Sequence, residues 1–559
     1  MTASSLIQKA LLYFFTIRRM KSSMIISRLR GRRRVAERIL DGDHNMRMPN
    51  IAIPELDINE RYLMRFDVEG LLTGDFLLLN ECHKVDLNTW NVPEASHLWN
   101  FNLHYFEWGI ALAARWRETN DDRYLDCYKF FVYSWLNACP YMQGDAWHPY
   151  TISLRIMNWL ITADLFDGRL QEDGELFPKM RESMYRQYRH LLINQEMHLR
   201  ANHWWENLKT LVIAAAVFGE QDVLVKISSS LEEQLDEQIL PDGVHFERSL
   251  MYHKLVLEGL LRVYVVSDQL DFELPENFIP KAKLMLDAIA SLERGMGKTP
   301  FFNDSADGVA KECVPLVAAC ERLLGMKADE TKTAFSDAGY YKLYDGDIAL
   351  MIDAGEPGPT YMLGHAHCDC LSFELSYNNR PVIVNSGTYA YQSELRSYFR
   401  STTAHNTCML DDEEQLECWG EHRVARSIAN AGISRLNKTR AIVKCRTFKG
   451  RNYQRDLSLH RDILEVRDYV NNVNGSLVAF VHFAPGFSIR RRKDSVLVTN
   501  SKISLVLRSK DQIDSSIYSY SPEFGAIEEA AELVQISTKN DVLTYSIKIN
   551  KEESVVNND

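Results

Sequence analysis

Lys327-Ala-Asp-Glu-Thr-Lys-Thr-Ala-Phe-Ser-Asp337 separates two kinds of periodicity in this chain. The stretch is polar and has no apolar repeat of its own. On its N-terminal side, from Asn88 to Met326, apolar residues recur at i, i+3, i+4 and i+7. This spacing predicts helices over residues 103–116, 124–138, 152–166, 180–195, 207–218 and 251–267. Thr119-Asn-Asp-Asp122, Gln143-Gly-Asp145 and Pro241-Asp-Gly243 are the turns between them. Beyond Tyr340 the period falls to two. Short runs at 348–352, 371–377, 382–384, 441–445, 457–459, 463–466, 477–483, 503–507 and 543–549 read as strands of an antiparallel sandwich. Helices on short links suit a bundle or a toroid of helical hairpins, and periodicity alone does not choose. The expected organisation is a lead-in over 1–87, a helical domain over 88–326 and a β-domain over 338–550, with residues 551–559 frayed.

A chain of 559 residues exceeds one ordinary core, and 46% hydrophobic with 25% charged residues is the composition of a globular protein. The net charge of -12 excludes a nucleic-acid partner held by a broad basic surface. It leaves room for an acidic glycan, because a few cations focused in a cleft outweigh a diffuse field. The ten cysteines show no zinc-finger pairing and read as reduced thiols, Cys368 and Cys370 included. Residues 1–36 depart from the average, with nine Lys or Arg and no acid. Their apolar run, 10–17, is too short to span a bilayer, and arginines rather than a small-residue cleavage site follow it. The expectation is a cytoplasmic protein without an export signal. Its basic leader either lies on an anionic inner-membrane surface or is simply solvated.

Three clusters carry chemistry. In Arg200-Ala-Asn-His-Trp-Trp-Glu-Asn207, Asn202 sits where a helix N-cap is expected, and an amide there can grip a carboxylate. The second cluster is Asp242-Gly-Val-His-Phe-Glu-Arg-Ser-Leu-Met-Tyr-His253. Tyr252 is its candidate proton donor or acceptor, while Glu247 and Arg248 read equally well as structural ions. Gly364-His-Ala-His-Cys-Asp369 with Arg400-Ser-Thr-Thr-Ala-His-Asn-Thr407 is the third. If the first of these is a strand, His365 and His367 share a face, and His405 joins them from a neighbour as a candidate zinc site. Asp304 and Asp307, two acids three residues apart, read as a hydrogen-bonded turn rather than a hydrolytic pair.

Residues 364–391 and the RSTTAHNT run from Arg400 resemble the C-terminal half of heparinase II/III-like polysaccharide lyases. NHWWENLKTLV from Asn202 and DGVHFERSLMYHKLVLEGLL from Asp242 resemble motifs of that family's helical domain. The resemblance covers about residues 90–480. It implies an (α/α) toroid followed by an antiparallel β-sandwich, with a cleft between them for β-elimination on an acidic, uronate-containing polysaccharide. Asn202 would neutralise the uronate carboxylate, with His203 beside it. Tyr252 would be the acid and also a candidate base, and His365 a second base. Arg200, Arg248, Arg400 and Trp204 are added as substrate-binding residues on proximity alone. Metal-binding relatives have an aspartate at the position of Asn385. A His367, Asn385, His405 set would therefore hold a structural zinc weakly, and elimination requires no cofactor. Absence of an export signal suggests a role in surface-polysaccharide metabolism. Two other functions fit the same expected fold: a different glycan-modifying or glycan-transferring reaction, and non-catalytic glycan binding.

Overall fold

The computed structural model describes residues 3–31, 33–36, 44–471, 475–493 and 495–550. Arg32 of the basic leader and the tail expected to fray, 551–559, lie outside the described residues. An N-terminal helical domain is followed by an antiparallel β-sheet domain.

The helical domain alternates two kinds of helix. Ala201–Val217 buries every residue except His203, whereas Gln221–Gln238 buries only Leu224, Ile227, Leu231, Gln234, Leu235 and Gln238, a single stripe. The first kind, with Trp108–Thr119, Pro149–Leu165 and Leu250–Leu270, forms an inner ring, each member packed against the next or reached through Ala201–Val217. The amphipathic kind, with Asp122–Ala138 and Leu176–Ile193, packs outside it. The helix expected over 103–116 is broken at Phe106, whose φ of 60° ends His97–Tyr105 before Trp108–Thr119 begins. Residues 51–76 pack into this domain through Ile51, Ile53, Leu56, Tyr62, Phe66, Leu71 and Phe76. Pro54–Asp57 lies against Cys313–Leu324, and Val68–Leu72 against Trp108–Thr119, so the lead-in fills the seam between the last and first helices.

In the β-domain the strands from Ala334–Phe335 to Arg380–Ile383 form a five-stranded sheet in sequence order. An isolated bridge, Ile383 to Phe483, joins it to a four-stranded sheet containing Leu477–His482. Both share one core with an eight-stranded sheet that includes Asn452–His460 and Val542–Asn550. Alternating burial along Asn452–His460, with Tyr453, Arg455, Leu457 and Leu459 inward, is the period-two pattern realised.

The leader is a helix, Ala3–Arg19, laid against the Cys418–Trp419 and Arg423–Val424 hairpin. Trp419 Nε1 donates to Thr16 Oγ1 (3.0 Å), and the Tyr13 ring meets Trp419 edge-on at 4.7 Å. Leu6, Ile7, Leu11, Phe14 and Ile17 face solvent.

Candidate active site

A cavity of about 600 Å³ lies at the junction of the two domains. Asn202, His203, Tyr252, His365 and Arg200 line it. Trp204, Arg248, Arg400, His367, His405 and Asn385 are not among its lining residues.

Asn202 is not an N-cap. Arg200 holds that position with φ 51°, and Ala201 also has a positive φ, so the chain turns sharply into the helix and places Asn202 in its first turn. Its Nδ2 donates to Tyr150 Oη (3.0 Å), while its buried carbonyl oxygen has no partner. A half-turn of the carboxamide exchanges the two ends, so one polar end stays without a partner in the chain. Tyr150 is held there by Pro149 at the first position of its helix. His203 stacks obliquely on Tyr150 at 4.4 Å and pairs through Nδ1 with Glu196 Oε1 (3.1 Å). Burial opposes a charge on His203, but Glu196, with Glu247 and Glu206 further off, outweighs it and raises the pKa. The Asn207 carboxamide fixes Glu196, accepting from its backbone N–H (2.7 Å) and donating to Oε2 (3.2 Å).

Across the cavity, Ser249 caps the helix that carries Tyr252, accepting from the Tyr252 N–H (3.3 Å). The Tyr252 hydroxyl hydrogen-bonds the Tyr391 hydroxyl of the β-domain (2.6 Å), and its ring lies 4.2 Å from that of His365. Burial, reinforced by Tyr391, Tyr150 and Asp304, holds the Tyr252 pKa well above its usual value. Burial thus favours the protonated form of the Tyr252 hydroxyl.

The segment carrying His365 and His367 is a loop, not a strand, because the nearest strand begins at Phe373. The two rings converge through Asp304 instead. Asp304 Oδ2 accepts from His365 Nδ1 (2.9 Å) and Oδ1 from His367 Nε2 (2.8 Å). Arg396 clamps the same carboxylate through both terminal nitrogens. Burial would raise the Asp304 pKa, but Arg396 and His367 prevail and keep it well below the carboxylate range. The backbone is zipped as well: Asp304 N–H donates to the His365 carbonyl (3.0 Å), and His367 N–H to Asn303 Oδ1 (3.1 Å). This ion fixes the proton of His365 on Nδ1 and leaves Nε2 as an acceptor, 3.7 Å from the buried Glu247. Burial, only partly offset by His365 and His203, raises the Glu247 pKa.

Sequence reasoning set Asp304 aside as a turn residue and overlooked Arg396, Tyr391 and Glu196. Asp304 does sit in a turn, between two helices; the usable sign was an acid beside Phe301 and Phe302, a turn too apolar to be wholly solvated.

The added binding residues have other uses. Arg248 donates to the Glu356 and Asp337 carbonyls (3.0 Å for the second), tying the helical domain to the β-domain. Arg400 is spent on the carbonyls of Ala366 (3.1 Å), Gly420, Glu421 and Arg423. Trp204 is buried and donates to Gln195 Oε1 (3.0 Å). Arg200 reaches the cavity but pairs with Glu237.

His367 spends Nε2 on Asp304 and leaves its buried Nδ1 without a partner, and Asn385 Oδ1 already accepts from Ser372 Oγ (2.8 Å). His405, its ring 5.2 Å from that of His367, makes no well-formed side-chain hydrogen bond. Asp369, the remaining acid, accepts from Asn303 N–H (2.6 Å), and burial pushes its pKa up to about 6. Two imidazoles and a neutral amide offer a divalent ion no anionic donor, since Asp304 is already neutralised by Arg396, so this set would hold zinc more weakly than one with a carboxylate. Among the described residues no three His, Cys, Asp or Glu side chains are grouped to hold a metal.

Comparison with known proteins agrees with this fold. A heparin-sulfate lyase of Pedobacter heparinus is 22% identical over 367 residues, 59% of this chain and 54% of the relative. One of Bacteroides thetaiotaomicron is 23% identical over 369 residues, 57% and 52% respectively. The chain thus spans about half the length of the curated relatives it matches. Among solved structures, a heparinase III superposes with a TM-score of 0.68 at 16% identity, covering 97% of this chain and 88% of that one. A heparan sulfate lyase from Pedobacter heparinus gives 0.57 at 17%, with the same coverage. The Heparinase II/III N-terminus model matches residues 28–319 and the Heparinase II/III-like, C-terminal model residues 327–554, so the chain belongs to the heparinase II/III-like family.

Proposed function

We propose that this chain is a polysaccharide lyase that cleaves a uronate-containing polysaccharide by β-elimination. One observation carries the reading: both reactive pairs are completed across the domain junction, Tyr252 with Tyr391 and His365 with Asp304. The heparin-sulfate lyase relatives support the same chemistry. The proton on C5 of a uronate is weakly acidic, so the carboxylate beside it must be neutralised first. The Asn202 amide and the His203 imidazolium serve this purpose from one wall. His365 Nε2 takes the C5 proton, the C4–O4 bond breaks as a C4=C5 double bond forms, and the Tyr252 hydroxyl protonates the departing O4. Tyr391, hydrogen-bonded to Tyr252, is placed to return a proton to it. The reaction as proposed involves no metal. The test is ultraviolet absorbance of the unsaturated product over a panel of uronate polymers, with and without chelator. No product from any polymer defeats the lyase reading, and loss of activity on chelation defeats the metal-free one.

We further propose that the leader rests on an anionic membrane surface. The outward Leu6, Ile7, Leu11, Phe14 and Ile17, on a helix whose last turn holds Arg18 and Arg19, support this. Among the described residues no helix is long and apolar enough to cross a membrane. Sedimentation with phosphatidylglycerol vesicles but not phosphatidylcholine vesicles is expected, and no sedimentation with either refutes it.

A further inference from the structure

An enzyme that cuts in the middle of a polymer needs a groove the chain can leave at both ends. Contacts between the domains flank this cavity at two places. On one side the hairpin turn Leu79-Asn80 of the lead-in reaches the β-domain, where Asn80 Nδ2 donates to the Phe524 carbonyl (2.9 Å) and Glu523 Oε2 (3.3 Å). Both turn residues are left-handed, with φ of 51° and 61°, in a two-residue turn that usually holds Asn-Gly. A leucine kept in that conformation beside a ligand cavity signals local strain that surrounding contacts hold in place. The approach is close: a Cβ on Gly525 would lie 2.0 Å from the Leu79 carbonyl oxygen, so only glycine fits there. Leu79, Asn80, Glu523 and Phe524 all line the cavity.

On another side Glu237 of the helical domain gathers Tyr361 of the β-domain, Arg200 at the cavity wall and Lys21 of the leader. The Lys21 ammonium also sits 4.1 Å above the Tyr361 ring. Met362, the next residue, lines the cavity. Inside the toroid, lead-in residues close the floor: Asp57 is paired with Arg262 (2.6 Å), and Tyr62 and Arg65 are bound to Glu107 (2.6 and 3.1 Å). Of the lining residues, only Asn80, His97, Gln392 and His422 are exposed. A volume of about 600 Å³ is within the range of sites that hold a small ligand.

We propose that the cavity accepts the terminus of a uronate chain and releases short unsaturated products one at a time, an exolytic action. This rests on the lyase reading of the same site. Each event is the elimination already described: one C4–O4 bond breaks, one C4=C5 bond forms, and one proton moves from C5 to His365 while another moves from Tyr252 to O4.

The test is the size of the products in the first few per cent of cleavage of alginate, polyglucuronate and an unsulfated glucuronate–glucosamine polymer. Unsaturated mono- or disaccharides alone, with viscosity nearly unchanged, are expected. A ladder of intermediate sizes with an early fall in viscosity overturns exolytic action and leaves the lyase reading standing. Binding separates the two further. With Y252F at fixed sugar mass, the amount of protein bound at saturation should scale with the number of chain ends. Scaling with the number of repeats overturns the proposal even without turnover, and binding to none of the polymers removes the uronate reading and this proposal together. In N80A/E523A the first products should lengthen. An unchanged size distribution in a double variant that still melts cooperatively overturns the role of that bridge.

Discussion

His203 and Asp304 do opposite electrostatic work, and single substitutions separate them. Glu196 raises the His203 pKa, so removing the carboxylate should lower it. In Glu196→Gln the imidazolium is lost at a lower pH, and the alkaline limb of kcat/KM should move down while KM rises near neutrality. A pH–rate profile reads this directly, and an unmoved limb would detach His203 from substrate binding. Asp304 has a depressed folded pKa. Its contribution to stability is present above the unfolded value of about 3.9 and is lost as pH falls through the folded one. Asp304→Asn strands Arg396 and unfixes the His365 proton. Expected are a loss of roughly 3–5 kcal/mol by denaturant unfolding and a fall in kcat on the order of 10²–10⁴. A full-activity D304N would exclude His365 as the base.

The loop over residues 363–372 is the element on which the site depends, and it is held by groups far away in sequence. Arg400 clips its Ala366 carbonyl, while Arg455, paired with Asp468 (2.6 Å), donates to the Leu371 and Asn406 carbonyls. Arg400 is thus a positioning residue. Arg400→Met should lower kcat about 10- to 100-fold with KM little changed, because the Asn202 and His203 wall is untouched. A rise in KM alone would return Arg400 to substrate binding. The elements differ in how legible they were. Most inner and two outer helices were readable because burial on one or all faces writes itself into spacing, whereas Gln221–Gln238, Phe278–Glu293 and Cys313–Leu324 were not expected. The strands at 441–445, 457–459, 463–466, 477–483, 503–507 and 543–549 were readable for the same reason, whereas Ser488–Arg491, Val496–Thr499, Gln512–Tyr520 and Glu528–Thr538 were not expected. The His365 loop was read as a strand because two histidines two apart fit period two. What actually joins them is one carboxylate about 60 positions earlier, a contact that leaves no periodic trace. Asn202, His203, Tyr252 and His365, named from motifs, all line the cavity. Arg248 and Arg400 were misplaced because a basic residue near a motif looks the same whether it binds substrate or backbone carbonyls.

At the scale of the molecule, charge and shape bear on the choice of polymer. The lining lysines and arginines are Arg65, Arg200, Lys209, Arg262 and Lys311, and each has a carboxylate within 4 Å. Glu247, Asp307 and Glu523 add acid to the same wall. A sulfate group would find no spare cation, and like charges brought together cost several kcal/mol. An unsulfated uronate polymer should therefore exceed its sulfated counterpart in kcat/KM by at least about tenfold, which is ~1.4 kcal/mol. Matched kinetics on a polymer before and after chemical desulfation decide this, and a preference for the sulfated form would refute it.

The seam filled by the lead-in also sets a timetable. Glu55 is bonded to Arg322, 267 residues later, and Asp57 to Arg262, 205 residues later. At ribosomal speeds of about 5–20 residues per second, the first turns made must wait roughly 15 to 50 s for the helix that receives them. The ring is therefore fastened last by its earliest piece. Nascent chains stalled before residue 320 should stay open to protease within residues 44–87, and those stalled beyond the β-domain should be protected. Early protection would mean that the lead-in finds its place without the helix it closes against.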